Sequence, residues 1–589
     1  MRPCSCIILI FLLLMAGLAG ATGRKRPPGR PNVVLILTDD QGWGDLSANK
    51  NSWLKTPNMD RLAQQGTSFE HFYVSPLCAP MRASLLTGRY HLSTGVVSVS
   101  KGLETMDSEE TTLAELFRAN GYQTGMFGKC HSGQHYPNRP NDQGFDEFLG
   151  FCAGHWSNYF YTKLDHNGEL VQTTGYITDV LTDAALKFIG ANQDKPFFCY
   201  IPYNAPHSPF QVPDAYFNKF KAKGLSNELA CVYGMVSNLD DNVGRVLAFL
   251  RERKLEENTI VIFITDNGPN GTRYNGDMRG IKGSVHEGGM RVPFFIRWPN
   301  KIPVRTVLPL PAAHIDVYPT LAGLCALQPV GTKKLDGISL APYLLAGKST
   351  VAPDRKIFMH VNFMEVPATL NAGGFRNNQY RFVYEQNVPQ LYDLGQDPGE
   401  KNDLAAQNPG LTQQFLREYQ AWFTQSRSGI SYERPIVLSE RGVVLPVYEA
   451  NVSSGIKLKE GHGWSHDWAE KWPNTPDSLT WNIDCQQPGT YTVAPDYQYT
   501  PKNVGSALSC RVGQVEHSVF ISQPFQSAQL PSSDRVPRKE AYEMADWGHL
   551  VIGTFRVPAG KPSIRLKALK IAGSSAAEID GLRLSFDGK

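Results

Sequence analysis

A chain of 589 residues that is 41% hydrophobic and 19% charged has the composition of a globular protein with two or three domains. Its 58 basic and 55 acidic residues leave a formal net charge of +3, too small over this length to argue for nucleic acid as a partner. Arg2 precedes the apolar run Ile7–Met15, and small residues follow as far as Ala21. This reads as a secretory signal peptide over residues 1–21, and no later run is apolar enough for a membrane span. The expectation is an exported protein, periplasmic or extracellular, or secreted or lysosomal in a eukaryote. Of ten cysteines, Cys4 and Cys6 leave with the signal. Cys485 and Cys510 are spaced to bridge two strands of one domain, and pairing among the others is open.

Val33–Leu37 is an uninterrupted apolar run, the mark of a parallel strand covered on both faces. It ends in Asp39-Asp40. Ser75–Gly88 reads as a short helix with Cys78 at its mouth, Pro80 in the first turn and Gly88 as its stop. Cys78 is either a buried structural thiol or one activated by the helix dipole, with Arg82 one turn along. A helix over 111–119 leads to the strand 122–127, which exits at Lys129-Cys130-His131. A helix over 179–189 leads to the strand 197–201, which exits towards His207. Asp240-Asp241 precede a helix over 243–250 and read as capping and surface groups. Ile260–Ile264 repeats the first pattern and ends in Asp266-Asn267. A glycine-rich loop then carries Lys282.

Helices alternating with buried strands predict an α/β fold, a large mixed, mostly parallel sheet flanked by helices, over residues 22–349. Short antiparallel strands and a closing helix (411–423) mark a smaller subdomain over 350–433. Alternating strands separated by turns suggest an appended β-sandwich over 434–589. In that last part Trp464, Trp468, Trp472, Trp481 and Trp547 are either sugar-stacking or core residues. The loop His155–Tyr159 is a candidate sugar contact. Sequons stand at Asn270 and Asn451.

Several strands that end in acids, amides and cations point to one shared site, because ligand sites in open α/β sheets gather at strand carboxyl ends. Asp39, Asp40, Asp266 and Asn267 are hard oxygen ligands suited to Ca²⁺ or Mg²⁺. Arg82, Lys129 and Lys282 would attract a tetrahedral oxyanion, and His131 and His207 can move protons.

Cys78-Ala79-Pro80-Met81-Arg82 with Leu86-Thr87-Gly88-Arg89 resembles the signature of the type I sulfatases, in the alkaline-phosphatase-like superfamily. Gly128–His131, Ala205–Pro209, Lys282–Gly289, His314–Leu321 and Leu391–Pro398 resemble further elements of that family, in order, between about residues 30 and 430. The resemblance implies sulfate-ester hydrolysis by a formylglycine made from Cys78. It implies a metal, Ca²⁺ before Mg²⁺, on Asp39, Asp40, Asp266, Asn267 and the modified Cys78. Arg82 would hold the formylglycine hydrate and His131 would help deprotonate it. Lys129 and Lys282 would neutralise the sulfate, with His207 as the acid at the leaving oxygen. The implied partners are a sulfated glycan or other sulfate ester and the formylglycine-generating machinery. Met81 and Cys130 depart from the family pattern. A phosphonate or phosphate monoester hydrolase of the same superfamily is the alternative, and an inactive glycan-binding protein with an unmodified Cys78 is a third reading.

Overall fold

A computed structural model describes residues 29–348, 354–363, 365–461, 463–538 and 544–588. The signal-peptide reading of residues 1–21 lies outside them. The large sheet has ten strands: β1 (Asn32–Thr38), β2 (Thr67–Phe69), β3 (Gln123–Lys129), β4 (Glu147–Phe151), β5 (Lys163–His166), β6 (Glu169–Gln172), β7 (Phe197–Pro202), β8 (Thr259–Thr265), β9 (Phe294–Arg297) and β10 (Thr306–Leu308). Their spatial order is β10-β2-β9-β8-β1-β7-β3-β4-β5-β6. The central five, β8 to β4, run parallel, and antiparallel strands close both flanks. The mixed, mostly parallel sheet expected from the sequence is present.

Two-sided burial explains the apolar runs. Val33, Leu35 and Leu37 of β1, with Ile260, Ile262 and Ile264 of β8, enter one core. Val34, Ile36, Val261 and Phe263 enter the other. Because side chains alternate across a strand, a strand covered on both faces has no polar face. Helices α1 (Pro57–Gln64), α4 (Ile177–Ala191) and α5 (Asn227–Glu252) cover the second core. Helices α2 (Cys78–Thr87), α3 (Leu113–Ala119) and α6 (Val317–Leu324) cover the first. Thr112 and Glu115 form a reciprocal capping box at the start of α3.

The helix expected over 243–250 is the last part of α5, which spans 26 residues. Asp240 lies inside α5 and is 1% exposed. Its carboxylate accepts from the amides of Asn58 and Met59, so it caps α1 and not its own helix.

A four-stranded antiparallel sheet follows, built from β11 (Ile357–His360), β12 (Gly373–Arg376), β13 (Tyr380–Glu385) and β14 (Val388–Asp393), with helix α7 (Pro409–Ser426) against it. From Ile436 onward two further sheets share one core, with Leu479, Trp481 and Leu566 from one and Tyr491, Val493 and Leu582 from the other. Trp468, Trp472 and Trp481 are buried in this C-terminal region.

All eight cysteines among the described residues are free. Cys485 and Cys510 lie on strands that pair with opposite sides of Ser563–Lys570. Two strand spacings are about 10 Å, beyond the reach of a disulfide.

Candidate active site

Every residue of α2 is buried. Gly88 closes the helix at φ 68°, and its amide donates to the Ser84 carbonyl at 2.9 Å. Cys78 therefore stands in the first turn, at the positive end of the helix. The glycine-rich loop is stitched to the same place. The Gly283 amide donates to the Pro76 carbonyl at 2.9 Å and the Lys282 amide to Pro269 at 3.0 Å. Behind that loop, the Glu287 carboxylate is held by Arg381 of β13 and by the Tyr73 hydroxyl, so the small sheet braces the loop that carries Lys282.

The strand ends of β1, β3 and β8 meet in one buried cluster. Arg82 donates to the Lys129 carbonyl at 2.8 Å and reaches Asp266 at 3.1 Å and Asp39 at 3.3 Å. Lys129 Nζ pairs with Asp39 at 2.5 Å, and Lys282 Nζ pairs with Asp40 at 2.7 Å. Asn267 Nδ2 donates to Asp40 Oδ1 at 2.8 Å, and the Asp40 amide donates to Asp266 Oδ1 at 3.0 Å. Asp40 and His131 both hold positive φ, 64° and 54°, a strained backbone that is over-represented at functional sites.

Sequence reasoning missed Arg273. It forks onto Asp45 and donates to the Asp40 carbonyl at 2.7 Å, fixing the strand exit from outside. An arginine in a loop carries no local signal that would single it out.

The two histidines face the site in opposite tautomers. His131 Nε2 bonds the Val99 carbonyl at 2.9 Å, and its buried Nδ1 has no hydrogen-bond partner. His207 Nδ1 bonds the Ser208 carbonyl at 2.7 Å and turns Nε2 towards Asp40, 3.7 Å away. Burial and then Lys129 push His131 well below the usual imidazole range. Burial and Lys282 push His207 down to about 4. Both rings are uncharged near neutrality.

Burial opposes ionisation of Asp39, but Lys129, His207, Arg82 and Lys282 outweigh it and hold the carboxyl far below its usual range. Asp266 goes the other way, raised by burial and by the Asp39 charge. Three carboxylates in one buried cluster repel one another, and a divalent cation relieves that conflict.

The oxygen inventory points the same way. Asp39 Oδ1, Asp40 Oδ2 and Asn267 Oδ1 are buried and accept no hydrogen bond. Buried acceptors are expected to be satisfied, and an all-oxygen set suits Ca²⁺ or Mg²⁺. Asp39, Asp40 and His207 bring ligand atoms within 4.8 Å of one another. The donor set fits a divalent metal.

Above the cluster lies a cleft of about 520 Å³ lined by Cys78, His131, His207, Lys282 and Asn270. His155 and Ser157 line it as well. Their neighbours do not: Trp156 stacks on Phe151 at 4.9 Å, and the Tyr159 hydroxyl donates to the carbonyls of His207 and Ser208. Four further lining residues, Phe363, Trp464, Ser465 and Arg538, come from the C-terminal half.

The sulfatase family model matches residues 31–326, and a model of the C-terminal part of N-sulphoglucosamine sulphohydrolase matches residues 281–421. N-acetylgalactosamine-6-sulfatase from Sus scrofa is 31% identical over 463 residues, covering 67% of this chain and 85% of that protein. The chain belongs to the sulfatase family. Human arylsulfatase A is 31% identical over 475 residues, covering 69% of this chain and 88% of that enzyme. Among solved structures, Ps i-CgsB in complex with k-i-k-neocarrahexaose superimposes with a TM-score of 0.63 at 31% identity, over 69% of this chain and 95% of that one. This sulfatase is a sulfuric ester hydrolase. No helix among the described residues is long and apolar enough to cross a membrane.

Proposed function

We propose that the enzyme removes sulfate from sulfated carbohydrates, using a formylglycine made from Cys78 and a Ca²⁺ ion held by Asp39, Asp40, Asp266 and Asn267. It would act after export, and the formylglycine-generating machinery would be its partner in maturation. The carrying observation is the placement of Cys78 in the first turn of a buried helix, lining the same cleft as His131, His207 and Lys282. The sugar substrate is supported by the relatives, one named for N-acetylgalactosamine 6-sulfate and one bound to a neocarrahexaose. A cleft of about 520 Å³ is of ligand-binding size.

The metal, when bound, supplies a Lewis acid for a sulfate oxygen and lowers the pKa of the neighbouring hydroxyl. Formylglycine supplies the hydrated-aldehyde oxygen that attacks sulfur and a second oxygen through which sulfate is released.

The protein groups do the rest. Arg82 holds Asp39, Asp266 and the Lys129 carbonyl in place, and its Nε, which has no hydrogen-bond partner, is the donor left for the modified side chain. Lys282 is 16% exposed at its side chain and faces the entering sulfate, while Lys129 acts from a fully buried position. Both offset the charge that builds on the sulfate oxygens. His131 is uncharged with its proton on Nε2, so Nδ1 takes up the nucleophile's proton. His207 is uncharged in the free site. An arriving anion offsets Lys282 and lifts His207's affinity for a proton, which Nε2 then delivers to the leaving oxygen.

The test is twofold. Mass spectrometry of the peptide across Cys78, from a host able to make formylglycine, should find an aldehyde in place of the thiol. Incubation with sulfated mono-, di- and oligosaccharides should release inorganic sulfate. An intact thiol in active protein overturns the nucleophile, and a panel from which no sulfate is freed overturns the substrate class.

A further inference from the structure

The family matches stop at residue 421, and the Sus scrofa relative covers 67% of this chain. The two-sheet C-terminal region lies largely beyond them, yet two of its segments reach the catalytic cleft. The first is the loop leading into Trp468. Its Ser465 hydroxyl accepts from the Gly154 amide at 3.4 Å, and the Gly463 carbonyl accepts from Ser100 at 3.1 Å. His466 bonds the His155 carbonyl at 3.2 Å and packs edge-on to Trp156 at 5.1 Å. The buried Asp467 carboxylate accepts from the amides of Glu460 and Gly463, both at 2.9 Å, which ties these residues together. The second segment carries Asp534, which accepts from Gln211 at 2.8 Å and pairs with Arg538 at 2.7 Å. Its Arg535 amide donates to Phe210, beside the His207 loop.

Trp464 stands on the first of these loops and lines the cleft together with Cys78 and Lys282. It is 38% exposed, whereas Trp468, Trp472 and Trp481 of the same region are at most 3% exposed. Phe363, 60% exposed, lines the same cleft from the small-sheet side. Partly exposed aromatic side chains lining a cleft above the proposed sulfate site suit the apolar C–H faces of a pyranose ring.

We propose that Trp464 is a substrate-specificity residue. Its indole forms the stacking platform for the sugar ring that carries the sulfate, so the C-terminal β domain completes the active site as one of its walls. The ligand class is a sulfated pyranoside. This rests on the sulfated-carbohydrate reading above, and the test separates the two.

The full-length enzyme and its Trp464→Ala and Trp464→Phe variants are compared on the sulfated saccharide with the highest wild-type turnover. Inorganic sulfate serves as a competitive inhibitor that needs only the cleft floor. Loss of a platform used equally in ground and transition states raises KM and spares kcat. Trp464→Ala should raise KM about tenfold or more with kcat little changed, and Trp464→Phe should restore most of the affinity. The inhibition constant for inorganic sulfate should not move, and because the indole is partly exposed the thermal midpoint should hold. An unchanged KM, an equal loss of sulfate binding, or no rescue by phenylalanine overturns the platform while leaving the carbohydrate reading intact. A wild-type enzyme that frees sulfate from no saccharide overturns both.

Discussion

Two uncharged histidines leave opposite nitrogens without a backbone partner, a buried Nδ1 in His131 and Nε2 in His207, because each ring is fixed by a backbone carbonyl on its other side. If His207 delivers the proton to the leaving oxygen, its importance depends on the leaving group. His207→Ala should lower kcat about 10²- to 10³-fold on a sulfated sugar, whose alkoxide is a poor leaving group. On an aryl sulfate with an acidic phenol the loss should be much smaller, and equal losses on both substrates would rule out the acid role. The metal is tested at the same scale. Chelation should abolish sulfate release and lower the thermal midpoint, and Ca²⁺ should restore both, because a ligand that binds only the folded state stabilises it. Full activity after exhaustive chelation would overturn the metal assignment. Asp39, Asp40, Asp266 and Asn267 were legible in the sequence because each pair follows a run with no polar face. Trp464 was not. In sequence it is one of several tryptophans in a β-rich stretch, and only the packing of its neighbours Trp468, Trp472 and Trp481 into the core sets it apart.

At the scale of elements, the position of Cys78, the proposed nucleophile, depends on how α2 ends. Gly88 holds φ 68°, and a Cβ built there would lie 2.9 Å from the Cβ of Tyr318. Its carbonyl also accepts from the amides of Asp336 and Gly337. Gly88→Ala combines a left-handed backbone penalty with overpacking, so unfolding should become easier by about 2–4 kcal/mol in denaturant titration. A change below about 0.5 kcal/mol would mean that the helix end yields freely. The strands of the parallel core could be read from the chain because two-sided burial leaves a continuous apolar signature. The length of α5 could not, since Asp240-Asp241-Asn242 interrupts its apolar pattern. Asp240 is buried there because its partners are the amides of α1, a long-range contact with no trace in local sequence. The same limit governs Cys485 and Cys510: closeness in the chain gave a plausible bridge, and the strand between them removed it.

For the whole molecule, buried ionisable groups set how stability varies with pH. His91 is held down to about 4 by burial, against hydrogen bonds that raise it, and His314 and His360 are held to about 3 by burial first and then by His91. An unfolded imidazole titrates near 6.5, so in acid the unfolded chain binds more protons. Stability from these groups is present above about pH 6.5 and is lost as pH falls towards about 3. Glu104 works in the opposite direction. Burial and the nearby Glu449 raise it to about 8 from 4.5, so the native carboxyl keeps its proton where the unfolded one has lost it. Its contribution is present below about pH 4.5 and disappears as pH climbs to about 8. Glu449 belongs to the C-terminal region, where it accepts from Gln134 and His135 of the catalytic part, so the alkaline loss reports on the seam between them. Three histidines outweigh one glutamate below about pH 6.5, and above it the glutamate acts alone among these groups. The thermal midpoint should therefore pass through a maximum near pH 6.5. Glu104→Gln keeps the shape and removes the titration, so its midpoint should stay flat between about pH 6.5 and 8 and should rise more steeply than the wild type's between about pH 4.5 and 6.5. Parallel alkaline slopes in the two proteins, measured by thermal melts at fixed ionic strength, would show that Glu104 does not carry the effect.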